Sequence, residues 1–137
     1  MLILFAQLDK VFQDKSFENQ CGPLCLFVAL SSMGYETGDF DRFVGGFVTK
    51  GPHSILDLKT RASQFGCETQ VVQRDIRSLT GNVLVIAHMR KGHFLLVHGE
   101  VGDELKIVDP PSSRTVSTSD FEKEYSGYML ILDANVV

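Results

Sequence analysis

Cys21, His93 and Asp109 are the side chains of this sequence best suited to doing covalent chemistry together. A cysteine attacks a carbonyl as its thiolate, which requires a base within hydrogen-bond reach and a third group that holds the base in the right tautomer. Cys21 opens the run Cys21-Gly22-Pro23, after which Leu24 to Met33 is apolar on most faces and Gly34 supplies a stop. Proline is favoured in a first helical turn, so the cysteine falls where unpaired backbone N–H groups and the positive end of the macrodipole stabilise an anion. Cys25 lies four residues on, on the same helical face, and Cys67 opens a strand. Both are read as small buried hydrophobes. A metal or redox pair of Cys21 and Cys25 is the competing reading, but no histidine or second cysteine pair lies nearby to complete a ligand set.

Position sorts the histidines. His93 follows a tight Lys91-Gly92 turn and starts a strand, with Phe94 to Val97 anchoring it, so its imidazole can face a cleft. It is the preferred base. His88 closes the preceding strand and is the main competitor. His98, five residues beyond His93, points to the opposite face under strict alternation. His53 belongs to a Gly-Pro-His loop and reads as a surface or capping residue. Asp109 ends the next strand, and Pro110 directly after it fixes the turn, leaving a carboxylate able to reach His93. An oxyanion hole combines the nucleophile's backbone N–H with a side-chain donor. Gln13 and Gln20 both supply the amide; Gln13 is preferred, because Gln20 adjoins Cys21 and its side chain diverges from it.

The elements that must position these groups follow from periodicity. Helices are expected over 21–33, over 39–47 with Phe40, Phe43, Val44 and Phe47 at helical spacing, and over 54–65, where Ser54 and Asp57 resemble a capping box. Beyond Gly66 the pattern turns to short β runs at 68–72, 83–88, 93–101, 105–108 and 128–132, with a short helix over 119–125. The turns between them carry tight-turn chemistry, which suggests consecutive antiparallel strands. Helices first and strands afterwards mark an α+β domain, N-terminal helices packed on a C-terminal antiparallel sheet, with residues 1–137 forming a single domain.

Composition narrows the function class. With 44% hydrophobic and 22% charged residues the chain is an ordinary globular one, and a net charge of -4 with scattered Lys and Arg argues against nucleic acid as a partner. Met1 to Leu8 lacks the features of a secretory signal and reads as a strand or packing arm. No run approaches the roughly 18 to 20 apolar residues that cross a bilayer. Three cysteines without paired spacing fit a reducing compartment. No metal or organic cofactor is called for.

Gln13, Cys21-Gly22-Pro23-Leu24-Cys25-Leu26, Gly51-Pro52-His53-Ser54, Lys91-Gly92-His93-Phe94 and Val108-Asp109-Pro110 together resemble the bacteriocin-processing cysteine peptidases. Tyr125-Ser126-Gly127-Tyr128 is similar to that family's aromatic-Ser-Gly ending, and the likeness runs from about Gln13 to Leu132. The family's Cys-Gly-Pro motif maps on Cys21, its Gly-His-Phe motif on His93 and its Asp-Pro motif on Asp109, sixteen residues after the histidine. One departure is that the family's oxyanion glutamine generally sits six residues before the cysteine, where this chain has Lys15. The resemblance implies a papain-like fold and removal of leader peptides after a Gly-Gly motif, usually by the N-terminal domain of a peptide-exporting ATP-binding transporter. It implies a leader peptide as partner, a membrane transporter as a further one, and a cytoplasmic location, at the inner face of the membrane for a transporter domain.

Such leaders are usually amphipathic helices that dock in an apolar groove. Phe40, Phe43 and Phe47 are the candidates for its lining, weighed against their being core. Two further functions compete: a catalytically idle domain that binds leader or cargo peptides for export, and a thiol acyl-transfer enzyme built on the same triad logic.

Overall fold

A computed structural model describes residues 21–47, 53–109 and 112–135. Its central element is α1 (Cys21–Ser32), in which Gly22 through Leu30 are all buried. A helix that is apolar around its whole circumference can only be stable when packed on every side, and α1 is enclosed by two further helices and a sheet. The second helix, α2 (Phe40–Gly45), is shorter than the 39–47 expected, because Asp39 caps it from outside, its carboxylate accepting from the Arg42 N–H at 2.9 Å. The third, α3 (Ile55–Ser63), begins at the anticipated capping box. There Ser54 Oγ accepts from the Asp57 N–H at 3.1 Å, and the Ser54 N–H donates to Asp57 Oδ2 at 2.8 Å, satisfying two donors that a helix start leaves unpaired.

The second half forms six strands, β1 (Gln70–Gln73), β2 (Thr80–Met89), β3 (Phe94–Glu100), β4 (Glu104–Asp109), β5 (Ser112–Ser117) and β6 (Tyr125–Asn135), with α4 (Thr118–Glu124) before the last. Their order in the sheet is β1-β6-β2-β3-β4-β5, and every pairing is antiparallel. The expected succession of hairpins therefore holds from β2 to β5. It fails at β6, which returns to lie between β1 and β2. Two expectations need correcting: His93 stands just ahead of β3 rather than within it, and β5, a polar run anticipated as no strand at all, is the edge of the sheet.

Both sheet faces are covered. Leu84, Ile86, Phe94, Leu96, Val108, Leu130 and Leu132 pack with the residues of α1, α2 and α3. The alternate positions Val85, Ala87, Leu95, Val97, Leu105, Ile107, Met129 and Ile131 form a second core with Phe121 and Tyr125 of the α4 region. Burial on two faces explains why β2 and β3 read as continuous apolar runs rather than alternating ones. No helix among the described residues is long and apolar enough to cross a membrane.

Candidate active site

The first turn of α1 meets the start of β3, and the local sequence permits the approach. A Cβ on Gly22 would lie 3.2 Å from Phe94 Cδ2 and 3.3 Å from Leu58 Cδ2, so any larger residue would have to press these side chains back by a few tenths of an ångström, and glycine lets the turn carrying Cys21 sit this close to the residue after His93. Both polar groups of the Phe94 backbone meet cysteines of α1. Its N–H donates to the Cys21 sulfur, while its carbonyl accepts from the buried Cys25 thiol at 3.7 Å. On the sheet side the four residues Arg90-Lys91-Gly92-His93 join β2 to β3, with Gly92 at φ +75 and its N–H donating to Met89 O at 3.0 Å. A left-handed glycine in that position is what a tight hairpin of this length requires, and it delivers His93 to the end of the sheet nearest Cys21.

His93 Nε2–H donates to Asp109 Oδ1 at 2.6 Å, which leaves Nδ1 as the nitrogen for the thiol, and the ring and Cys21 are hydrogen-bonded to each other. Burial alone would raise the Cys21 pKa. It is outweighed by the hydrogen bond from His93, the Phe94 N–H, the histidine's charge and the Gly22 N–H at the helix start, so the thiol titrates below its ordinary range. His93 is pushed up to about 9, chiefly by its bond to Cys21, against the opposing effect of burial and with the help of Asp109. Each group thus favours the charged form of the other, which biases the pair toward thiolate and imidazolium. Since alkylation follows the thiolate, the rate of iodoacetamide labelling at Cys21 against pH should have its midpoint below the roughly 8.5 of a free thiol. Cys25 and Cys67 are both buried and should label far more slowly. Peptide mapping of the labelled chain at graded pH checks this, and equal labelling of the three thiols would contradict it.

The model of the Peptidase C39 family matches residues 10–136. The chain belongs to that family. Among curated proteins, none matches. Of solved structures, the double glycine motif protease of an AMS/PCAT transporter, solved in complex with the leader peptide, superposes with a TM-score of 0.72 at 21% identity, over 84% of each chain. The peptidase domain of Streptococcus ComA, a bi-functional ABC transporter involved in a quorum sensing pathway, gives 0.71 at 18%, over 90% of this chain and 96% of the other. The N-terminal peptidase C39 like domain of a toxin secretion ATP-binding protein from Vibrio parahaemolyticus gives 0.61 at 12%, over 80% and 93%. At such identities these likenesses establish the fold, the papain-like one of C39 peptidase domains.

The remaining histidines of this C39 chain have other surroundings. His88 Nδ1 is bonded to Ser126 Oγ at 2.8 Å and its ring packs edge-on to Phe94. His98 occupies the face of the sheet opposite to Leu95 and Val97, and its pKa is lowered by burial and by Lys106. His53 is buried rather than on the surface, its ring 4.6 Å from that of Phe47. Gln13 and Gln20, the candidates for the oxyanion hole, lie outside the described residues.

The three phenylalanines expected to line a groove are interior: Phe40, Phe43 and Phe47 are 3%, 0% and 9% exposed. They form an aromatic cluster in which Phe27 meets Phe40 and Phe43 edge-on, at 5.3 and 5.4 Å, and Phe47 meets Phe43 at 5.7 Å. Their helical spacing marks a face turned inward, into the core. Open space lies instead beside the His93–Asp109 pair, where a pocket of about 370 Å³ has Met89, Leu95, Ile107, Val116 and Phe121 as apolar walls. Arg114, also at this pocket, went unrecognised in the sequence. It donates from Nη1 to Asp109 Oδ2 at 3.1 Å.

Proposed function

We propose that this chain is a cysteine peptidase that removes leader peptides after a Gly-Gly motif, with Cys21 as nucleophile, His93 as acid and base, and Asp109 as the group that orients the histidine. One observation carries this reading: in a C39 chain, a cysteine at a helix start is hydrogen-bonded to a histidine whose other nitrogen is held at 2.6 Å by a carboxylate. The Cys21 thiolate attacks the carbonyl carbon of the second glycine, and the developing tetrahedral oxyanion takes the Cys21 backbone N–H and the Gln13 amide as its donors. As the C–N bond breaks, His93 passes its Nδ1 proton to the leaving amine, and a thioester remains on Cys21. Water, losing a proton to the now neutral Nδ1, cleaves the thioester, releases the leader as a carboxylate and restores the ion pair.

The pocket beside His93 and Asp109 is the surface suited to the leader's apolar side chains, since it adjoins two groups of the triad and has an apolar floor of Met89, Leu95, Ile107, Val116 and Phe121 inside a rim that carries Lys91, Asp120 and Glu124. It takes the place of the groove anticipated on α2. The solved relatives are peptidase domains of transporters, one of them holding a leader peptide, and a role beside an exporter on the reducing side of a membrane accords with a catalytic thiol.

The test is mass spectrometry of synthetic leader peptides carrying a Gly-Gly pair, incubated under reducing conditions with the wild-type chain and with Cys21→Ala. Cleavage after the second glycine by the wild type alone is expected. If neither protein cuts and both bind, the chain is a cargo receptor and the catalytic reading fails. A product whose mass is that of an amide formed with an added amine would assign acyl transfer instead.

A further inference from the structure

We infer that Arg114 is a positioning residue for the triad, acting through Asp109; the inference rests on the peptidase reading above. The sheet register brings the two together. Ile107 pairs with Arg114 and Asp109 with Ser112, so Asp109 and Arg114 are diagonal neighbours on the face that carries Ile107 and the pocket. The carboxylate is divided between two cations: Oδ1 accepts from His93 Nε2 at 2.6 Å and Oδ2 from Arg114 Nη1 at 3.1 Å. The same Nη1 donates to Ser112 Oγ at 3.2 Å, and Ser112 Oγ donates to the Asp109 carbonyl at 3.0 Å. Asp109 is thus tied at its backbone and at both carboxylate oxygens.

A carboxylate at the end of a strand, next to a turn, is free to rotate about its χ angles unless its second oxygen is also held. Arg114 supplies that hold, in the plane that lets Oδ1 meet the imidazole. In its absence the carboxylate turns toward water, the His93 bond weakens, the imidazolium is less favoured, and the Cys21 thiolate loses part of its stabilisation. The hydrogen bonds of Arg114 go to Asp109 and Ser112 rather than to the cysteine or the histidine, so its effect travels through Asp109. Its side chain is 49% exposed on an edge strand, so replacing it leaves the core intact.

The experiment compares the wild type, Arg114→Gln, Arg114→Lys, Asp109→Asn and the Asp109→Asn/Arg114→Gln double variant by two readouts. One is the pH profile of iodoacetamide labelling at Cys21, which reads the ion pair whether or not any peptide is cut. The other is kcat and KM on a Gly-Gly leader peptide. Arg114→Gln should raise the labelling midpoint toward that of a free thiol and lower kcat about tenfold at unchanged KM, within the up to roughly 10²-fold lost when a reacting group is misplaced. Arg114→Lys should recover part of both, and in the Asp109→Asn background the glutamine substitution should have no further effect. A labelling midpoint that stays put or falls, a change in KM alone, or a full tenfold loss on top of Asp109→Asn would overturn the inference. Failure of the wild type to cut any leader would sink the peptidase reading while the labelling profiles still decide whether Arg114 acts through Asp109.

Discussion

His93→Ala is expected to lower kcat/KM for a Gly-Gly leader peptide by about 10⁴-fold or more, as two separate losses combine. The first concerns the nucleophile. Cys21 is half-buried, and burial is the largest single influence on its thiol, acting to raise the pKa. The His93 hydrogen bond and charge reverse that sign, and without them only the Phe94 and Gly22 N–H groups remain. The thiolate present at pH 7 then falls to a few per cent or less, as for a free cysteine. The second loss is the proton donor for the leaving amine, for which positioned acids supply about 10² to 10⁴-fold. Single-turnover cleavage, followed by chromatography at pH 7, measures the product of the two. His88→Ala is the informative companion, because His88 is bonded to Ser126 and packed on Phe94 and should keep most of the activity. Cleavage by His93→Ala within tenfold of the wild type, or a His88→Ala variant that is the inactive one, would move the base assignment away from His93.

The parts of this site that could be read in the sequence are those whose physics is local. A cysteine before Gly-Pro and an apolar run defines a helix start on its own, and Ser54 with Asp57 defines another, since caps are settled within a single turn. Glycine in the Arg90-Lys91-Gly92 loop fixed the β2–β3 hairpin and the place of His93 for the same reason. What could not be read depends on partners far apart in the chain. Strand β5 is Ser112 to Ser117, polar and exposed at nearly every position, and is ordered as a strand by its ladder to β4 rather than by its own propensity. Arg114 was overlooked with it, as its meeting with Asp109 exists only in the register of that ladder. The insertion of β6 between β1 and β2 was hidden in the same way. The α2 phenylalanines show the remaining ambiguity: periodicity reveals that a helix has an apolar face, but not whether that face meets a core or a ligand.

That last ambiguity yields the second large effect. Phe43→Ala should destabilise the fold by about 3 to 5 kcal/mol, the range for truncating a buried aromatic residue. Phe43 is fully buried, with the rings of Phe27, Phe47 and Phe65 at 5.4, 5.7 and 5.6 Å and the Arg61 guanidinium 5.0 Å from its centroid. Little can collapse into the space it would leave, for Arg61 is held by its own bonds to the Phe43 carbonyl at 3.1 Å and to Gln64 at 2.6 Å. Against a total stability of about 5 to 15 kcal/mol for a domain, the loss should lower Tm by on the order of 10 to 20 °C. Urea titration and calorimetry measure it directly. The same variant also separates the two uses of an apolar face. An interior residue predicts a large fall in Tm with KM for the leader unchanged in the molecules that remain folded at low temperature. A groove residue predicts the reverse, a Tm close to the wild type and a raised KM, and that result would return the leader site to α2.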